Sequence, residues 1–176
     1  CVLPTLSPQN ILNLSNKGLF QLLQYYETHQ NRDSFDMDMV GGFSDVKSVL
    51  RDACSLNPTC FVILFPRFLE ENLHKEYVSA LVEGVAYHLH YRFGNVQPPQ
   101  KWRAIEPLPE GKKLAQTLLN WIERYFILWE DGRTVATALE ACCDILIDCE
   151  SIQRLSLLLF WLYNQFSDDR EFRKNN

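Results

Sequence analysis

Between Leu114 and Phe166 three apolar patterns of helical period follow one another with almost no linker, and this run constrains the fold more than any other feature of the chain. On the first, Gly111–Glu130, a broad apolar face is made by Leu114, Leu118, Trp121, Ile122, Tyr125, Leu128 and Trp129. The second, Arg133–Cys149, sets Val135, Leu139, Cys142, Ile145, Leu146 and Cys149 opposite an acidic stripe of Glu140, Asp144 and Asp148. The third, Ser151–Phe166, carries Leu155 and then an apolar run from Leu157 to Tyr163, which predicts burial on several sides. Turns at Asp131-Gly132 and at Glu150 are short enough to force sequential helices to pack antiparallel.

The N-terminal half reads as helical too. Ser7-Pro8 is an N-cap followed by proline at the first helical position, which starts a short helix through Ile11 and Leu12. A second helix is predicted over Asn16–His29, and the Asp-rich stretch Asn31–Gly42 reads as a loop. Ser44 is the expected cap of a helix carrying Val46, Val49, Leu50, Ala53 and Cys54, which Asn57-Pro58 ends. The run Phe61–Phe65 is assigned to helix, and Pro66 to the first turn of a long helix reaching Phe93, where Gly94 stops it. Along that helix Leu69, Leu73, Tyr77, Leu81, Val85 and Leu89 recur every fourth residue.

Asn95–Glu110 holds Pro98, Pro99, Pro107 and Pro109, so it cannot be helical and is the candidate hinge. Trp102 and Ile105 within it imply that the segment lies against a core. The chain of 176 residues suits a single all-α domain, with possible sub-units 1–94 and 111–176 on either side of this crossover. Antiparallel helical hairpins of degenerate sequence point to a HEAT- or armadillo-like solenoid fragment, or to an irregular helical bundle. The initial Cys1 suggests a processed chain or a piece of a larger protein.

Charge narrows the function classes. Six acids against one base between Glu130 and Glu150 account for the whole net charge of −5, leaving the remainder neutral. A surface that tracks phosphates is usually basic, so nucleic acid is the alternative partner, through a small patch of Lys101, Arg103, Lys112 and Lys113 beside Trp102.

Site chemistry is sparse. The six cysteines lack paired metal-ligand spacing, and His88 and His90 point about 200° apart on a helix, which precludes a shared ion. They read as a partly exposed histidine and one at the core edge. Cys142 and Cys149 would lie roughly 10 Å apart on one helix, too far for a disulfide. Buried among Ile and Leu, Cys142, Cys143 and Cys149 should be inert thiols of an intracellular, cytoplasmic or nuclear protein. Neither Gly41-Gly42 nor Gly111-Lys112-Lys113 completes a phosphate loop. No catalytic residue, cofactor or metal is assigned, and the apolar third helix is too short to span a bilayer. What remains is a non-enzymatic scaffold or interaction domain that holds a partner protein or peptide on a helix face or groove. Glu140, Asp144, Asp148, Trp102, Lys112 and Lys113 are the candidate contacts, with Trp and Tyr at a rim as further anchors. A compact bundle regulator with a peptide groove is the other alternative.

Overall fold

In the computed structural model, which describes residues 6–28 and 42–174 with side chains to residue 166, every regular element is helical. Among the described residues eight α-helices and a 3-10 turn follow in order: α1 (Pro8–Leu12), α2 (Asn16–Thr28), α3 (Phe43–Leu56), α4 (Pro58–Glu70), α5 (Lys75–Phe93), α6 (Gly111–Arg124), the 3-10 turn (Phe126–Glu130), α7 (Gly132–Cys143) and α8 (Cys149–Lys174). The Asp-rich segment expected to loop lies, except for Gly42, outside the described residues.

The chain divides into two compact units: Cys1–Gly84 with Arg103–Leu108, and Val85–Trp102 with Pro109–Asn176. The division falls inside α5, and the Pro-rich segment is shared between the units.

In the first unit, Ser7 caps α1 as its sequence requires, its hydroxyl accepting from the Asn10 amide. At α3 the cap shifts from the expected Ser44 to Gly42, because the Asp45 carboxylate accepts the Gly42 N–H at 3.0 Å. Pro58 opens α4, but Pro66 does not open a helix. It lies inside α4, which runs on to Glu70, and the chain then turns at Asn72, whose φ of 50° is left-handed. There the Leu73 amide reaches back to the Phe68 carbonyl at 3.2 Å and closes the helix end. The row of every fourth residue thus crosses a break between two helices: Leu73 is buried in the break, and Tyr77 and Leu81 are buried beyond it in α5. α3 packs on α1, α2 and α4. A Cβ at Gly84 of α5 would stand 2.5 Å from Cβ of Cys54, so that close approach requires glycine. The Ile105 amide donates to the Leu56 carbonyl at 2.9 Å, which ties its part of the Pro-rich segment to α3.

In the second unit α6, α7 and α8 stack in sequence order. Cys142 near the end of α7 donates its thiol to the Ala115 carbonyl near the start of α6, and Gly132 at the start of α7 meets the Phe166 ring far along α8. Both pairs are therefore antiparallel. α6 stops at Arg124, short of the expected Glu130, and the 3-10 turn buries Leu128 and Trp129. The Trp129 indole N–H donates to the Ile122 carbonyl at 2.9 Å, an acceptor left open by the helix end. Trp102 packs edge-on against Tyr91 and His88, with ring centroids 5.2 and 5.8 Å away.

Candidate interaction surface

α8 begins at Cys149 because Asp148 caps it. One carboxylate oxygen accepts the Ser151 amide and the other the Ser151 hydroxyl, each at 3.0 Å. These bonds hold the Asp148 carboxyl below its usual range, with Lys112 contributing from 3.5 Å. From this start the inner side of α8 is fixed at several points. Ser151, Leu155 and Leu158 are buried. Arg154 donates to both Glu123 oxygens, at 2.9 and 2.7 Å, and to Asn120 on α6, an arrangement that raises its pKa. Gln165 donates to the Trp129 carbonyl at 3.3 Å.

The outer side overturns the expected burial of the Leu157–Tyr163 run. Leu157, Phe160, Trp161 and Tyr163 are 64, 62, 59 and 68% exposed, and Ile152 and Leu159 are also exposed. Helical geometry puts Leu157, Phe160 and Trp161 on one surface patch at i, i+3 and i+4, with Tyr163 on its flank. Gln153 and Asn164 end the same stripe, and between residues 152 and 165 the only charged side chain is Arg154, held on the inner flank. Covering each large apolar group is worth on the order of 2 kcal/mol.

The acidic stripe does not form on one helix. α7 ends at Cys143, so Glu140 is exposed on α7, Asp144 is its C-terminal cap, and Asp148 caps α8 across the turn. Helical extrapolation through residues 144–148 fails because α7 ends at Cys143, its last turn closed by the Ile145 and Leu146 amides on the Cys142 carbonyl at 3.1 and 2.8 Å. Asp144 sits beside Gly94, where a Cβ would meet its carboxylate at 2.9 Å. The candidate lysines also have partners: Lys112 meets Asp148, and Lys113 meets Glu110 at 3.1 Å. The structure thus brings one candidate base to one candidate acid, and Trp102 lies half-buried against Tyr91 and His88.

Both α5 histidines are buried, more deeply than their sequence context implies. His88 lies 3.3 Å from the Arg92 guanidinium, and His90 faces Asp144 at 3.8 Å, too far for a hydrogen bond. Among the described residues no three His, Cys, Asp or Glu side chains gather closely enough to hold a metal ion. Cys142 is buried, and burial pushes its thiol up to about 12. Cys143 and Cys149 are exposed where burial was expected, because the helix ends between them. Partial burial, then Asp144 and Glu140, raise the Cys143 thiol. Trp121 and Trp129 belong to the core, and the rim aromatics are Trp161 and Tyr163. Among the described residues no helix is long and apolar enough to cross a membrane.

No family model matches the chain, and neither curated proteins nor solved structures give a match.

Proposed function

We propose that this chain is a non-enzymatic protein-interaction module of helical-repeat type within an intracellular complex, and that it holds a partner on the outward side of α8. The observation that carries this reading is the apolar patch of Leu157, Phe160, Trp161 and Tyr163, exposed on a helix whose opposite side is anchored to α6 and α7. A helix held on its opposite side and presenting three large aromatics and a leucine is what helix-face recognition needs, since little backbone entropy is left to lose on binding. The charged candidates contribute less, because Lys112, Lys113 and Asp148 already satisfy one another or a neighbour.

The test is site-directed photo-crosslinking in cells, with a photoreactive residue at Leu157 or, as control, at Glu140 on α7. Adducts to polypeptide from position 157 and none from 140 are expected. Adducts from 140 alone, or from neither position, would overturn the reading.

A further inference from the structure

We propose that His90 and Asp144 form an acid-closed latch between the last turn of α5 and the C-terminal end of α7. His90 is only 5% exposed, and its Nδ1 atom is buried without a hydrogen-bond partner. A polar atom so placed is costly, because burial removes its water and nothing takes the water's place. Asp144 Oδ2 stands 3.8 Å from Nδ1, roughly 1 Å beyond the length of a charge-assisted hydrogen bond. The Asp144 side chain is 43% exposed, and among the described residues no hydrogen bond holds its carboxylate away from the ring.

The position of Asp144 adds a second reason. It is the C-terminal cap of α7, the end at which the helix dipole disfavours a carboxylate and favours a cation. Glu140 lies one turn earlier, and partial burial, then Asp144 and Glu140, raise the neighbouring Cys143 thiol. One proton on His90 relieves both faults: Nδ1 becomes a donor with an acceptor in reach, and the carboxylate gains a cation. Other cations on the surrounding elements are already engaged. Arg92 of α5 donates to the Pro109 carbonyl at 3.0 Å and lies 3.3 Å from His88, and Lys112 of α6 pairs with Asp148 at 3.5 Å. Gly94 keeps the approach open. Its amide donates to the His90 carbonyl at 3.0 Å, and a Cβ there would stand 2.9 Å from Asp144 Oδ2.

Imidazole is the side chain that changes charge between about pH 5 and pH 8, so the latch closes on the acid side of that window. The folded chain holds the proton through the latch, and its contribution is therefore present at low pH and lost as pH rises.

A double-mutant cycle on the full chain tests this, with His90→Gln, Asp144→Asn and the pair unfolded by denaturant at about pH 5.5 and about pH 8.5. The two sites should couple by about fivefold or more in the folded-to-unfolded ratio at the acid pH, and not measurably at the alkaline one. No coupling at either pH, or equal coupling at both, would overturn the inference. Should His90→Gln not fold, Asp144→Asn at its exposed site supplies a second measurement. An imidazole N–H proton resonance in slow exchange with water is expected from the wild type in acid, and it should vanish at alkaline pH and in Asp144→Asn. Its absence in acid, or its persistence at alkaline pH or in the variant, would overturn the latch as well.

Discussion

Two stretches of this chain look alike as composition and end in opposite environments. From Tyr77 to Val82 in α5 six consecutive residues are buried, and Gly84 follows them into the interior. From Leu157 to Leu162 in α8 six consecutive apolar residues leave Leu157, Leu159, Phe160 and Trp161 in water, and only Leu158 is buried. The difference lies in the small residues. Ser79, Ala80 and Gly84 interrupt the large side chains of α5 and let neighbouring backbone come close, as the Gly84–Cys54 contact shows. The Leu157–Leu162 stretch has no such residue, so its large side chains fit one packed side and project on the other. An apolar run alone reports hydrophobicity; its small residues report how many sides can be packed.

The sharpest way to break this comparison is to truncate a leucine in each stretch. Leu81→Ala should cost about 2–5 kcal/mol by denaturant unfolding, whereas Leu157→Ala should stay within about 0.5 kcal/mol, and equal costs would erase the distinction. Gly84→Ala comes next, at about 1–3 kcal/mol, because the new methyl meets Cys54 Cβ and the Arg51 carbonyl with no room to move. Asp131→Ala should follow at about 1 kcal/mol, since its carboxylate accepts the Arg133 and Thr134 amides and the Thr134 hydroxyl at the start of α7.

The smallest effect is alkaline. Cys142 is raised in the folded chain, so its contribution is complete below the ordinary thiol range and is lost as pH rises toward about 12. Unfolding midpoints between about pH 8 and pH 10 should therefore fall slightly more for the wild type than for Cys142→Ala. Under native conditions a thiol reagent should modify Cys60 and Cys149 and spare Cys142; equal rates would place Cys142 outside the core.

Much of the fold was legible in the sequence where local chemistry is decisive. Ser7-Pro8, Pro58 and Gly94 mark helix ends that the structure keeps, and α6 and α7 pair antiparallel as expected, although a 3-10 turn over Phe126–Glu130 and not Asp131-Gly132 alone connects them. What failed were boundaries that tertiary contacts decide. α4 runs through Pro66, and α7 stops at Cys143 so that Asp148 can cap α8. That early stop dissolved the acidic stripe, since a helical row drawn through residues 140–148 crosses a turn. The α8 face was hidden for the opposite reason: periodicity identifies an apolar helix but not the number of neighbours it has. Its one local clue is the amide pair Gln153 and Asn164 bracketing Leu157 and Phe160 at helical spacing.

The account rests on the outer side of α8 being open in the single chain, and Trp161 reports on this directly. Trp121 and Trp129 are buried and Trp102 is half-buried, so the difference in emission between wild type and Trp161→Phe isolates the one strongly exposed indole. The expected result is a red-shifted Trp161 component that iodide quenches readily, as an indole 59% exposed requires. A blue component shielded from the quencher would contradict the account.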